Sequence, residues 1–220
     1  MSTPTFVKYS RVPGRIASAL GHIGERVWDP WKIDFRSWAR LRVSNEDFDG
    51  GLELVGEPQD CESESAALSR GGEGEPFALS YLTRAVPGML HLYFFDIRKD
   101  GFSTTLSFDA GIVYHESPWF ERGQFLRGLL TSLVRAFGAE ACGYGLDDAY
   151  KVKHESLDLP ATLARLKTGS LLSIPCPVFH AFSVSRIAEE EIRGLMKSRP
   201  TNPRLQYNRS GDYHILSALP

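Results

Sequence analysis

Three groups of residues in this 220-residue chain could do chemistry. His115 and Glu116 are adjacent at the end of a predicted strand, where they could form an acid–base pair or supply metal ligands. Cys142 could act as a nucleophile if a histidine lies beside it in the fold. Asp147 and Asp148 follow a glycine-bracketed turn, a common position for functional side chains. Together they support the hypothesis of an enzyme with a hydrolytic site around His115, Cys142, Asp147 and Asp148.

The motifs that identify common enzyme classes are missing from the sequence. Gly143-Tyr144-Gly145 lacks the third glycine of a dinucleotide-binding loop and the Lys-Ser/Thr pair of a P-loop. No GxSxG, HExxH or zinc-deaminase pattern occurs, and the six histidines are scattered singly. Adjacent strand residues point to opposite faces, so His115 and Glu116 would not act together unless the strand has ended. We therefore predict no catalytic residue, no metal site and no cofactor.

The charge of the chain is unevenly distributed, although the formal total is only −2. Residues 1–43 contain eight basic and three acidic side chains, whereas residues 44–75 contain ten acidic side chains and only Arg70 as a base. The acidic stretch is also rich in glycine and serine, which predicts a mobile loop over about residues 56–75. Two interpretations remain open: a solvated linker, or an acidic surface that meets a basic partner.

The periodicity of the remaining sequence predicts hairpins and helices. Residues 90–97 and 102–108 form a predicted hairpin around Gly101, and residues 204–219 form a second one. Between them, leucines at intervals of three and four predict a long helix that ends before Gly138. These elements favour a single α+β domain over residues 1–220, with an antiparallel sheet built from hairpins and helices packed on one face.

Three further segments carry weaker patterns. Ile16, Leu20, Ile23 and Val27 have helical spacing after Pro13. The spacing of Trp31, Phe35 and Trp38 predicts another short helix with an aromatic core-facing side. Residues 178–184 follow two prolines and predict an edge strand.

The sequence also indicates where the protein is found. Cys61, Cys142 and Cys176 are odd in number and far apart, which argues against a secreted disulfide framework. The first residues do not resemble a signal peptide, and no apolar run approaches the roughly 20 residues of a membrane span. The pI of about 6.3 gives no support for nucleic-acid binding. We expect a cytoplasmic protein that binds neither membrane nor nucleic acid, and the oligomeric state stays open.

From residue 90 onward, the order of elements is similar to that of certain immunity proteins. A hairpin leads through Ser117-Pro118-Trp119-Phe120 into a long helix and Gly143-Tyr144-Gly145. A strand and helix over 178–197 and a last hairpin with Gly211 follow. This pattern resembles immunity proteins of bacterial polymorphic-toxin and type VI secretion systems, which are α+β proteins that bind and block a cognate toxin.

The resemblance implies stoichiometric inhibition of a cognate protein toxin, with acidic side chains steering a basic toxin surface. The charge distribution supplies the candidate contact residues, which are Asp47, Asp49, Asp60, Glu62, Glu64, Asp147 and Asp148. Two alternatives remain: the enzyme described above, and a structural or regulatory subunit of a larger assembly.

Overall fold

The structure is a computed structural model of the chain. It describes residues 4–29, 32–43, 52–70, 74–84, 88–95, 97–109, 119–145, 164, 167–168, 178–198 and 205–218. Within these ranges the fold is α+β, with four α-helices and ten antiparallel strands. The predicted fold class is therefore confirmed.

The strands form two groups of six and four that join edge to edge. The order across the sheet is β3-β2-β4-β5-β6-β1 followed by β7-β8-β10-β9. Their bounds in chain order are β1 Pro4–Pro13, β2 Ile33–Val43, β3 Leu52–Asp60, β4 Phe77–Thr83, β5 Gly88–Phe95, β6 Gly101–Asp109, β7 Ala141–Gly145, β8 Val178–Ser183, β9 Gln206–Ser210 and β10 Tyr213–Ala218.

Strand β1 joins the two groups because it pairs on both sides. One edge pairs with β6, from Pro4 opposite Asp109 to Pro13 opposite Gly101. The other edge pairs with β7, from Val7 opposite Tyr144 to Ser10 opposite Ala141. The strand nearest the N-terminus therefore lies inside the sheet rather than at its rim.

Four helices accompany the sheet. Helix α1 spans Ile16–Ile23 and continues into a π-helical turn at Gly24–Trp28. Helix α2 spans Glu64–Arg70, α3 spans Trp119–Phe137 and α4 spans Glu189–Ser198. Helix α3 ends as predicted, because Gly138 takes a positive φ of 62° that suits glycine at a helix terminus.

The main core lies between one face of the sheet and helices α1, α2 and α3. Strand residues alternate in burial along β5, where Leu90, Leu92 and Phe94 are buried and their neighbours are half-buried. Helix α3 contributes Leu129, Leu130, Leu133, Val134 and Phe137 to the same cluster. The alternation explains why the hairpin prediction over this region is confirmed.

Helix α4 is connected to the opposite face of the sheet. His214 and Ile215 are neighbours in β10 and therefore point to opposite faces, and Ile215 belongs to the main core. The Nε2 atom of His214 lies 3.0 Å from the carbonyl oxygen of Ile187, just before α4. This hydrogen bond anchors the start of α4 on the face that α1, α2 and α3 leave open.

The predicted helix around Phe35 and Trp38 is wrong, since these residues lie in β2. A register shift between Phe35 and Ser37 inserts one extra residue into the strand. As a result Phe35 and Trp38 pair with Tyr81 and Leu79, which face the main core together. A bulged strand thus reproduces the spacing of three that is typical of a helix face.

The structure differs from the sequence prediction at two other places. Strand β8 is internal rather than an edge strand, because it pairs with both β7 and β10. The two prolines precede the strand, so they remove no N–H group from its ladders. Where a loop over 56–75 is predicted, β3 continues to Asp60 and α2 occupies Glu64–Arg70, while residues 71–73 are outside the described ranges.

Gly101 in β6 lies very close to the backbone of β1, and a substitution at Gly101 tests this contact. A Cβ atom at Gly101 would lie 2.5 Å from the backbone oxygen of Val12, which cannot move without breaking the ladder. We expect Gly101→Ala to lower the free energy of unfolding by about 2 kcal/mol in urea titrations, a typical cost of overpacking.

The matched control is Gly194→Ala in α4, where a Cβ atom would meet nothing within 4 Å. Alanine should raise stability there by roughly 0.5–1 kcal/mol, because glycine is unfavourable inside a helix. Equal effects of the two substitutions would contradict the close contact at Gly101.

Candidate interaction surface

One end of the sheet carries an exposed acidic surface. Strand β3 is the last strand on its side, and every residue from Leu54 to Asp60 is exposed. Leu54 and Val55 are 54 % and 44 % exposed, which is unusual for large apolar side chains in this chain. We call the exposed residues Leu54, Val55, Glu57, Asp60 and Glu62 the acidic edge.

The backbone of β3 is interrupted in the middle of this surface. Val55 pairs with Arg40 and Gln59 pairs with Trp38, so three residues of β3 stand opposite a single residue of β2. Gly56 takes a positive φ of 79° within this bulge, and Pro58 follows it. The bulge separates a regular segment, Leu52–Val55, from the acidic residues beyond it.

The carboxylates of the acidic edge are not neutralised within the described part of the chain. Glu57, Asp60 and Glu62 form no ion pair there. The guanidinium of Arg70 instead donates to Gln59 Oε1 and to the backbone oxygen of Asp60, at 3.5 Å each. These three exposed carboxylates are therefore available to a basic partner.

The structure brings together only some of the predicted contact residues. Asp60 at the end of β3 and Glu62 in the turn before α2 are exposed on the acidic edge. Glu64 is only partly exposed and faces its own protein. The other predicted residues, Asp47, Asp49, Asp147 and Asp148, and also His115, lie outside the described ranges.

Glu64 connects α2 to the main core. The indole N–H of Trp28 donates to Glu64 Oε1 at 3.0 Å, and the ring of Trp28 packs on that of Tyr81 with centroids 4.7 Å apart. Burial raises the pKa of Glu64, and interactions with the Tyr81 hydroxyl and the Trp28 N–H offset part of that rise. The buried Tyr81 hydroxyl has no hydrogen-bond partner of normal geometry among the described residues.

Burial also raises the pKa of Tyr81 well above its ordinary value, and the nearby charge of Glu64 raises it further. Tyr81 therefore stays neutral at neutral pH, so in the cluster of Glu64, Trp28 and Tyr81 only Glu64 can carry a charge. The hydrogen bond and the ring contact give this cluster a structural role, because they hold α2 against the core.

Two histidine pairs lie elsewhere in the sheet. Ser80 Oγ is 2.9 Å from His91 Nδ1, and burial lowers the pKa of His91, which favours the neutral ring. Tyr207 Oη is 2.9 Å from His214 Nδ1. Because the Ile187 carbonyl can only accept, Nε2 of His214 carries the proton, and in the neutral ring Tyr207 must donate to Nδ1.

No carboxylate orients either histidine among the described residues: the hydrogen-bond partner of His91 is Ser80, and the second contact of His214 is the backbone carbonyl of Ile187. Cys142 is 1 % exposed within β7, where a substrate could not reach it without opening the sheet. The described residues contain no group of three His, Cys, Asp or Glu side chains arranged for a metal ion. Among them, no helix combines the length and apolar character needed to cross a bilayer.

No protein-family model, curated protein or solved structure matches this chain. A proposal about the function therefore rests on the residues and the geometry of the chain itself.

The sequence does not show which residues contact the predicted site residues in the fold. Leu54 and Val55 are visible in the sequence as the apolar residues of an acidic stretch, and alternation with Glu53 indicates a strand there. No sequence signal connects Glu64 with Trp28, which lies 36 positions away and pairs with it only through the fold.

The burial of Glu64 predicts an unusual dependence of stability on pH. A carboxyl group whose pKa is raised by folding binds its proton more tightly in the folded state. It therefore stabilises the protein fully below its unfolded-state pKa, and this contribution is lost as the pH rises through the folded-state value. Glu64→Gln keeps an acceptor for Trp28 without a charge, so its stability relative to the wild type should increase from acidic to neutral pH.

The measurement is the free energy of unfolding in urea at several pH values between about 4 and 7. Glu62→Gln, which removes an exposed carboxylate two positions away, serves as the control. The burial argument fails if the two variants show the same pH response relative to the wild type.

Proposed function

We propose that this chain is a toxin-neutralising immunity protein that acts by stoichiometric binding to a cognate basic protein toxin. The observation that carries the proposal is the acidic edge: on the exposed terminal strand and the turn after it, two large apolar side chains stand among carboxylates that form no ion pair with the described residues. Large apolar side chains are costly to leave in water, and a partner that covers them removes this cost. The order of elements after residue 90, which resembles that of immunity proteins, supports the same proposal.

The proposed mechanism has two components. Glu57, Asp60 and Glu62 steer the positively charged partner and raise the rate of association. Leu54 and Val55 then bury their side chains in the complex and slow its dissociation. Inhibition follows when the bound chain covers the active site of the toxin.

The regular segment of β3 suits this role for a further reason. A terminal strand presents backbone N–H and C=O groups that a strand of a partner can pair with. Segment Leu52–Val55 precedes the bulge and pairs regularly with β2 on its inner side. Its outer side is the position where an added strand would continue the sheet.

The proposal includes a cytoplasmic location, where the inhibitor would meet an incoming toxin. Cys61 is a free cysteine, which suits a reducing compartment. The alternative of an enzyme receives less support, because Cys142 is the one residue of that hypothesis within the described ranges and it is buried.

Removal of the apolar anchors should weaken the complex. The partner to test is a small basic protein encoded beside this chain, because an immunity gene lies next to that of its toxin. We expect the double variant Leu54→Asp/Val55→Asp to bind this partner at least 30-fold more weakly in biolayer interferometry, corresponding to about 2 kcal/mol for hot-spot residues. Both side chains are exposed, so the free protein should fold as before, with an unchanged circular dichroism spectrum.

Charge reversal tests the steering separately. Asp60→Lys/Glu62→Lys should lower the association rate about tenfold at low salt and leave the dissociation rate nearly unchanged, as is typical of rim charges. Asp100→Lys/Glu190→Lys makes the same change of charge at exposed positions outside the acidic edge and is the control. A partner that binds all variants equally would exclude the acidic edge from the mechanism, and no complex with any neighbouring gene product would overturn the proposed function.

A further inference from the structure

A basic groove lies on the helical side of the molecule, and none of the residues that line it belongs to the acidic edge. It has a volume of about 330 Å³ and opens between α1 with its π-helical turn and the C-terminal end of α3. Its polar lining consists of Ser18, His22, Arg26 and Arg135, and its apolar lining includes Ala19 and Phe137. The volume is at the lower end of the range of small-molecule sites.

The sequence positions these side chains by helical geometry. Ser18, His22 and Arg26 follow one another at intervals of four, so they line one side of α1 and its continuation. Arg135 belongs to the last turn of α3, which packs against α1. The groove therefore receives its cationic groups from two separate helices.

The two arginines and His22 have no anionic partner within the described part of the chain. None of the three forms an ion pair or a side-chain hydrogen bond there. Glu25 and Asp29 are close in sequence to Arg26 but do not pair with it. Other exposed arginines, such as Arg40 and Arg193, do have carboxylate partners at 3.5 and 2.7 Å.

A purely structural role explains only part of this arrangement. Arg135 in the last turn of α3 interacts favourably with the negative end of the helix dipole, so its presence needs no ligand. His22 and Arg26 come from another helix and are not required for that compensation. Like charges that converge on a groove repel each other, and a bound anion relieves this repulsion.

We propose that the groove is a binding site for a small phosphate monoester. The planar guanidinium groups of two arginines can each form hydrogen bonds with the oxygens of a phosphate. At neutral pH the phosphate carries a charge of about −1.5 to −2, so it can bind several cationic groups at once. Ser18 supplies a further hydroxyl donor. Ala19 and Phe137, both buried at the base of the groove, offer apolar contact to the organic part of the ester.

The probes for this site are phenyl phosphate, inorganic phosphate and benzoate, measured by isothermal titration calorimetry with the full chain at low salt. Phenyl phosphate should bind several-fold more tightly than inorganic phosphate because of the apolar base, and more tightly than benzoate because of its second charge. Binding should weaken as the NaCl concentration rises, since the charged groups are exposed.

Arg26→Ala and Arg135→Ala should each weaken binding of phenyl phosphate about tenfold, the effect of removing one charge-assisted hydrogen bond. Arg36→Ala, which removes an exposed arginine of β2 outside the groove, is the matched control and should leave the affinity unchanged. All three side chains are exposed, so the variants should unfold at the same urea concentration as the wild type.

Three results would overturn the proposal. These are no detectable binding of phenyl phosphate at millimolar concentration, equal binding of phenyl phosphate and inorganic phosphate, and binding that survives the loss of both Arg26 and Arg135. None of these outcomes depends on a toxin partner, so this site and the acidic edge can fail or succeed independently.

Discussion

The position of β1 inside the sheet is the constraint on which the rest of the structure depends. This strand pairs with β6 on one edge and with β7 on the other, and its partners lie about 90–105 and 130–140 residues away in the chain. Without β1, the edge of β6 in the remaining five strands and the edge of β7 in the four-strand group would each expose unpaired backbone groups. The close approach of Gly101 to Val12 shows how tightly this junction is built, since it leaves no room for a side chain.

Because β1 lies inside the sheet, the two edge strands are β3 and β9. These edges differ in whether the charged side chains beside them are paired. At β9, the guanidinium of Arg193 in α4 lies 4.9 Å from the ring centroid of Tyr207, and Glu189 pairs with both Arg193 and Arg209. The hydrogen bond with Arg193 leads the interactions that lower the pKa of Glu189, which keeps this carboxylate charged. At β3, comparable carboxylates have no such partners among the described residues. The charged side chains beside β9 are therefore paired within the protein, whereas the carboxylates of the acidic edge are available to a partner.

Local patterns in the sequence predict elements whose partners are close in the chain. The β5–β6 hairpin, the long helix that ends at Gly138 and the last hairpin all follow from periodicity and turn residues. The interior position of β1 cannot be read in this way, because strand pairing across a hundred residues leaves no local signal. The bulge in β2 explains the wrong helix prediction, because it places Phe35 and Trp38 on one face of the strand with the spacing of a helix face. The sequence shows the acidic charge of the candidate site but not which carboxylates reach the surface. In the fold, Glu64 is partly buried and accepts from Trp28, whereas Asp60 and Glu62 are exposed.

The near-zero net charge of the chain hides two surfaces of opposite sign, and the fold explains why they do not neutralise each other. The acidic edge is part of a strand and the turn after it, while the basic groove is formed by α1 and α3. The Trp28–Glu64 hydrogen bond fixes α2 against the core, and Trp28 ends the helical segment that begins with α1 and includes Arg26. Among the described residues, the carboxylates of the acidic edge and the arginines of the groove form no ion pair with each other. A nearly neutral chain can therefore offer one group of charges to a basic partner and the other to an anion.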